Sequence, residues 1–202
     1  FDNKKDDEQW LSNVLRRLQA KECTEEPLYI TSVKALHDLN PSAKTAYGLG
    51  NIADTQSEKF KYWDQAIELG VSKDLESRIH YKKGIAYKAQ GQYSSAKREF
   101  LAANAAKPSF GAPFLQIANM IASSANNCGD SVFEKRAVNW VAARYANKAA
   151  AVDPSIKSNA AQAAASYNGR APQKADIFQN PDYNSGDTIS FSCWVGESVR
   201  IP

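Results

Sequence analysis

The side chains best suited to acid–base chemistry in this 202-residue sequence are its two histidines, His37 and His80. His37 precedes Asp38, and a carboxylate beside an imidazole can orient it as a general base. No GxSxG, HExxH or P-loop motif accompanies the pair, so the nucleophile or metal that such a base would serve is missing. His80 falls at a helical position that favours packing between helices. The sequence therefore predicts no catalytic residues and a protein that is not an enzyme.

The three cysteines, Cys23, Cys128 and Cys193, show no CxxC spacing and have no neighbouring histidine. Zinc sites need thiolate and imidazole ligands at short spacing, so we expect no metal site and no cofactor. Three cysteines allow three single-disulfide pairings, each of which leaves one thiol free. Three buried free thiols are the alternative.

Composition and charge favour an ordinary globular protein over a nucleic-acid-binding or membrane-spanning one. Hydrophobic residues make up 43% and charged residues 23%, which is ordinary for a globular protein. The net charge of +3 is too small to predict nucleic-acid binding. No stretch approaches the roughly 18 apolar residues of a transmembrane helix. The start, FDNKKDDEQW, lacks the pattern of a signal peptide, and we expect the chain to be a fragment of a longer protein.

Residues 77–108 carry the most informative pattern, in which small and aromatic residues recur where two antiparallel helices must touch. The matching positions are Gly84, Tyr87, Gly91, Tyr93, Ala96, Phe100, Ala103 and the closing Pro108. The small residues let the helix backbones approach closely, and the aromatic rings fill the space between them. This spacing resembles one tetratricopeptide (TPR) repeat of about 34 residues, which we assign to residues 77–110.

Two flanking segments resemble the same unit less closely. Residues 42–70 are about three residues short, which predicts a clipped helix or turn, and residues 111–154 contain a longer loop. An alanine-rich helix at 155–167 is expected to cap the stack. We therefore predict an all-α superhelix over residues 1–170, with about three helix pairs and flanking helices. A C-terminal extension, 171–202, is predicted to end in a short β-hairpin that turns near Gly196-Glu197.

Two strings in the second half add a narrower resemblance: SSANNCGDSVFEKRAVNWVAARYANKAAAVDPS and GDTISFSCWVGESVRI. They resemble TPR proteins of the Bacteroidetes, which have Cys-Gly before a FEKRAV-type helix and a GCW-type strand near the C-terminus. Cys128 and Gly129 occupy the first place. Cys193 and Trp194 occupy the second, with serine replacing the glycine. The resemblance covers about residues 23–200. It implies a helical solenoid with a small β element, exported to the periplasm or cell envelope, without enzymatic activity.

The implied location changes the interpretation of the cysteines, because disulfides persist in the cell envelope. The resemblance then implies a bridge between Cys128 and Cys193 that fastens the hairpin to the long loop of the third repeat. Such a bridge, closing about 65 residues, would contribute roughly 3–4 kcal/mol to stability in the chain-entropy model. Free thiols remain the alternative.

In proteins of the TPR type, the first helix of each repeat lines a concave surface. The residues of this chain at those positions predict a binding face for an extended protein or peptide: Lys44, Tyr47, Asn51, Arg78, Tyr81, Lys88 and Asn119. Asparagine amides can pair with a peptide backbone, tyrosines offer flat contact area, and basic residues can meet an acidic group. Ordinary solvation of these side chains, or packing of the tyrosines between repeats, is the alternative.

Two function classes remain. The leading hypothesis is a non-catalytic TPR scaffold for protein or peptide binding in the bacterial cell envelope. The alternative is a glycan-binding or glycan-uptake accessory protein of the envelope, in which Phe191 and Trp194 of the hairpin would stack on sugar rings. Burial of these two aromatic rings against the last helix would remove that alternative's sequence support.

Overall fold

The computed structural model describes all 202 residues, and most of them lie in α-helices. The helices are α1 (Glu8–Ala20), α2 (Pro27–Leu39), α3 (Ala43–Ile52), α4 (Gln56–Glu68), α5 (Lys73–Ala89), α6 (Tyr93–Ala106), α7 (Ala112–Ser123), α8 (Val132–Val152), α9 (Lys157–Arg170) and α10 (Lys174–Phe178). Two strands, β1 (Thr188–Ser190) and β2 (Ser198–Arg200), pair antiparallel. The predicted all-α, repeat-like fold with a short hairpin is confirmed. No helix combines the length and the apolar character needed to cross a bilayer.

The chain folds as two compact units, Phe1–Glu76 and Ser77–Pro202. The boundary falls within the first two turns of α5. The sequence suggested a division at residue 170, where the helical pattern ends. The residues beyond 170 nevertheless contribute to the core of the second unit, because Ile177, Ile189 and Phe191 are buried there.

The first unit contains α1 to α4 around a small apolar core. The core residues come from three helices and are Leu11, Leu15, Tyr29, Val33, Leu36 and Leu49. Ser42 caps α3 reciprocally with Thr45, which gives this helix a defined start. With 10 residues against 17 in α5, α3 is the clipped part of the predicted repeat at 42–70. Helices α3 and α4 approach so closely that a Cβ on Gly50 would lie 2.3 Å from the Trp63 ring.

In the second unit, α5 and α6 form the helix pair predicted at 77–110. A Cβ on Gly84 would lie 2.6 Å from the Phe100 ring, so the glycine is required by the close approach of the two helices. The Ser77 hydroxyl donates to the Ala103 carbonyl at 2.7 Å near the other end of the pair. Helix α5 begins at Lys73, one turn before the predicted start, because the preceding segment continues the helical pattern.

Helices α7, α8 and α9 follow as the core of the second unit. Ser131 and Glu134 form a capping box that starts α8 after the long loop, and Asp153 accepts from the backbone N–H of Gly111 at 3.0 Å. Helix α9 extends to Arg170, three residues beyond the predicted cap. Asn168, Gly169 and Arg170 therefore form the last turn of this helix.

The hairpin is fixed to this core by packing and by a covalent bond. Ile189 and Val199 face each other across the two strands and are both buried. Cys128, in the loop after α7, forms a disulfide with Cys193, and their Cα atoms are 5.4 Å apart. The pairing implied by the family resemblance is confirmed, and Cys23 is the free cysteine. The turn closes at Gly196, whose N–H donates to the Cys193 carbonyl at 3.0 Å.

The contact between Gly84 and Phe100 generates a stability prediction. Gly84→Ala forces a methyl group into the Phe100 ring and should lower the free energy of unfolding by about 1–3 kcal/mol. Gly169→Ala in α9 is the matched control, since a Cβ there would meet nothing within 4 Å. Because alanine is the better helix former, the control should be unchanged or up to about 1 kcal/mol more stable. Urea unfolding followed by circular dichroism measures both, and equal behaviour of the two variants would contradict the close approach.

Candidate functional site

Two of the predicted binding residues, Tyr81 and Lys88, are joined by a hydrogen-bonded row that runs from α5 to α7. The Lys88 ammonium donates to Oε1 of Gln116 at 2.7 Å, and Nε2 of Gln116 donates to the Tyr81 hydroxyl at 3.3 Å. Sequence reasoning missed Gln116. Its spacing of three from Asn119, which places both on one side of α7, was the signal available.

The predicted residue Asn119 extends this row toward α9. Asn119 is exposed, and its Oδ1 accepts a hydrogen bond from the Tyr167 hydroxyl. Burial raises the pKa of Tyr167, so its hydroxyl stays protonated and remains a donor at neutral pH. The Nδ2 group of Asn119 donates to no protein atom. We call the set Tyr81, Lys88, Gln116, Asn119 and Tyr167 the polar row.

The ring and the hydroxyl of Tyr81 have different surroundings. Its ring packs against Phe100 and Phe110, with centroids 5.6 and 5.1 Å away, so its main apolar contacts are intramolecular. The hydroxyl is the part that belongs to the polar row. The exposed apolar side chain on this helix is instead Ile85, 38% exposed and four residues further along. Arg78, also predicted, is exposed three residues before Tyr81.

A buried ion cluster holds α5 against α6 beneath these side chains. His80 Nδ1 lies 2.7 Å from Glu99 Oε2, and the Lys83 ammonium lies 3.4 Å from Glu99 Oε1. Burial would raise the pKa of Glu99, but the hydrogen bond from His80 and the charge of Lys83 outweigh it and keep the pKa below its ordinary value. His80 therefore contacts a carboxylate that lies 19 residues away in sequence.

The other histidine, His37, does not form the pair with Asp38 that its sequence position suggested. His37 is buried, and its Nδ1 lies 2.8 Å from the Thr45 hydroxyl. Asp38 is exposed on α2. No group of three or more His, Cys, Asp or Glu side chains has a geometry that could hold a metal ion.

In the first unit, the predicted residues Lys44, Tyr47 and Asn51 follow one another along α3 but do not share one cavity. Lys44 lies at a cavity of about 250 Å³. Its other lining residues are Glu8, Ser12, Leu15, Gln19, Val33, Leu36, Asn40, Ser42 and Thr45. Asn51 borders a different cleft, of about 320 Å³, beside Tyr29. Tyr47 lies between them in sequence and is half-buried.

The two hairpin aromatics proposed for sugar stacking have different surroundings. Phe191 is 3% exposed and belongs to the core, so it offers no face to a ligand. Trp194 is half-buried, its Nε1 donates to the Ser124 hydroxyl at 3.0 Å, and its ring centroid is 5.2 Å from that of Tyr93. Trp194 and Tyr93 line a shallow cleft of about 270 Å³ with Ser94 and Ser95.

Glu197, at the end of the hairpin turn, accepts hydrogen bonds from three side chains. Lys97, Arg144 and the Tyr145 hydroxyl donate to its carboxylate, and the Lys97 ammonium also donates to the Val195 carbonyl at 2.7 Å. Burial alone would raise the pKa of Glu197, but the hydrogen bonds from Lys97 and Tyr145 outweigh it and lower the pKa. Burial and the hydrogen bond to this carboxylate raise the pKa of Tyr145.

Comparison with known proteins does not assign the chain to a family. No protein-family model matches the sequence, and no curated protein sequence matches it.

The Glu197 cluster predicts a pH-dependent stability difference. The folded-state pKa of Glu197 lies below its ordinary value of 4.5, so the stabilisation is fully present above that value and is lost as the pH falls through the folded pKa. Glu197→Gln should therefore lower the free energy of unfolding by about 1–3 kcal/mol at pH 7. The difference from wild type should shrink as the pH falls below 4.5. Asp182→Asn, at an exposed loop carboxylate, should change stability little across the same pH range.

Proposed function

We propose that the protein is a non-catalytic TPR-type scaffold that binds an extended protein or peptide segment in the bacterial cell envelope. The observation that carries this proposal is the polar row with exposed Ile85 beside it. The row crosses α5, α7 and α9, which are the first helices of successive helix pairs in the proposed repeats.

The chemistry of the row suits a peptide backbone. An extended segment presents N–H and C=O groups in alternation, and amide side chains can both donate and accept. The unfilled Nδ2 donor of Asn119 can meet a backbone carbonyl. Ile85 supplies an apolar contact of the kind found at the centre of protein interfaces, and exposed Arg78 supplies positive charge.

Two further features support the TPR and envelope parts of the proposal. Gly50 against Trp63 and Gly84 against Phe100 place a small residue opposite an aromatic ring in successive helix pairs, as the TPR resemblance requires. The Cys128–Cys193 bridge favours an oxidising compartment, because cytosolic thiols are kept reduced.

The cavity beside Lys44 offers the first unit an independent role in the same function. Its apolar lining residues include Leu15, Val33 and Leu36, and its polar ones include Glu8 and Lys44. A pocket of about 250 Å³ with this mixture suits one amphipathic side chain of a bound segment.

Glycan binding is the second candidate function, and the Tyr93–Trp194 pair favours it. Two aromatic rings beside Ser94 and Ser95 can combine stacking on a sugar ring with hydrogen bonds to its hydroxyls. If this function holds, titration with cellohexaose or maltohexaose should change tryptophan fluorescence in the wild type and not in Trp194→Phe. An unchanged wild-type spectrum at saturating oligosaccharide would rule out these two glycans at the cleft.

The peptide-binding proposal is tested with two apolar side chains of equal exposure. Ile85 on α5 is 38% exposed and Leu101 on α6 is 39% exposed. Ile85→Lys should reduce the yield of partners captured from envelope extracts by about tenfold or more, because a buried interface contact becomes an unpaired charge. Leu101→Lys should retain them, since it changes charge equally on the other helix of the pair.

Quantitative mass spectrometry of the captured proteins measures the difference, with Asn119→Ala and Asn147→Ala as a second pair. Both asparagines are exposed, but Asn147 lies on α8 and outside the polar row. Equal loss of capture in the members of each pair would contradict the assigned face.

A further inference from the structure

The second unit contains an open cleft of about 530 Å³ that the polar row does not use. It lies between the 3-10 turn after α7, the first two turns of α8 and the end of α9. Val132, Lys135, Arg136 and Asn139 line it from α8. Their spacing of three, four and seven residues puts them on one face of that helix.

The ionisable residues that line this cleft are all basic: Lys135, Arg136 and Arg170. Arg136 is committed to the protein, since its guanidinium donates to Asp176 at 2.9 Å and to the Ala171 carbonyl at 3.1 Å. The hydrogen bond from Arg136 lowers the pKa of Asp176, which keeps this pair ionised.

Lys135 and Arg170 have no acidic partner. Arg170 contacts only neutral groups, namely Ser166 and the ring of Tyr167, whose centroid is 5.0 Å from the guanidinium carbon. Lys135 makes no ion pair or hydrogen bond with a protein group. The cleft therefore carries two uncompensated positive charges, and its charge complement is a ligand with at least one carboxylate or other anion.

Asn139 adds an unfilled acceptor to the same cleft. The residue is 4% exposed, and its Nδ2 donates to the Arg136 carbonyl at 3.0 Å. That bond fixes the orientation of the amide. Its Oδ1 is buried without a partner. Buried polar atoms are nearly always paired, so Asn139 keeps an unused capacity to accept a hydrogen bond at this wall of the cleft.

Val132 gives the cleft an apolar wall. It is 75% exposed in the first turn of α8, so its side chain is open to an apolar group of a ligand. A ligand that uses all three features must combine an anion, an N–H donor and an apolar group. An acidic peptide has all of these in consecutive residues, whereas inorganic phosphate offers only the anion.

We infer that this cleft binds a short acidic peptide segment of a partner protein. The ligand's carboxylates face Lys135 and Arg170, one of its N–H groups approaches Asn139, and an apolar side chain lies on Val132. This site goes beyond the proposed function, because it lies on α8 and the end of α9 and shares no residue with the polar row.

The probe is a fluorescein-labelled heptapeptide in which aspartate alternates with leucine, and fluorescence anisotropy measures its binding to the full chain. Lys135→Glu combined with Arg170→Glu should weaken binding by about tenfold or more, because both charge contacts become repulsive. The matched control, Arg98→Glu with Lys157→Glu, makes the same change in net charge at exposed sites outside the cleft and should leave affinity within about twofold.

Nuclear magnetic resonance locates the bound peptide independently. Saturating peptide should shift the side-chain amide signals of Asn139 and the backbone signal of Gly169, which also lines the cleft. The signals of Gln116 and Asn119 should not move. Replacement of every aspartate in the probe by asparagine removes its charge and should abolish binding, and Val132→Ala should weaken it.

Three results would overturn the inference. One is the absence of saturable binding by the acidic heptapeptide. Another is an equal loss of affinity in the control double variant, which would indicate general charge attraction. The third is a combination of two observations: inorganic phosphate or heparin competes for Lys135 and Arg170, and the peptide leaves the Asn139 signals unchanged. The cleft would then bind anions in general and not a peptide.

Discussion

Gly84 lets α5 approach the ring of Phe100 on α6, and the position of the polar row depends on this approach. With no Cβ on Gly84, α5 lies directly on the aromatic ring, where a methyl group would be 2.6 Å away. The Tyr81 ring also packs against Phe100, with centroids 5.6 Å apart, and this packing places the Tyr81 hydroxyl beside Gln116. A steric condition at one glycine thus determines which part of a tyrosine can face a ligand.

The hairpin shows how a marginal element is held by several different interactions. Two three-residue strands cannot be stable alone. Ile189, Val199 and Ile201 bury apolar area, Glu197 is held by Lys97, Arg144 and Tyr145, and the disulfide joins the turn to the loop after α7. The loop between Cys128 and Cys193 spans 65 residues, so the bridge restricts a large part of the unfolded chain as well as the turn.

The sequence allowed local features of the fold to be predicted, and the structure explains why other features could not be. The helix pair at 77–110 could be predicted because Gly84, Ala96 and Phe100 lie at positions where two antiparallel helices touch. The disulfide was implied by the resemblance that two sequence strings carry, and free thiols were the alternative. By contrast, Lys97 meets Glu197 at a separation of 100 residues, and Tyr167 meets Asn119 at 48. No periodic pattern relates such pairs. The cleft beside Asn139 could not be predicted for the same reason, since its walls come from both α8 and α9. Its net charge also depends on the tertiary contact in which Asp176 neutralises Arg136.

The position of the third cysteine has a consequence for how the chain acquires its covalent structure. Translation proceeds from the N-terminal end, so Cys23 and Cys128 are present together before Cys193 has been added. Order of appearance alone would pair the wrong thiols. The native bridge instead follows from folding, because the packed helices of the second unit bring Cys128 and Cys193 to a Cα separation of 5.4 Å, while Cys23 belongs to the other compact unit. Any Cys23–Cys128 bridge formed before the second unit folds would have to be converted to the native pair by thiol–disulfide exchange.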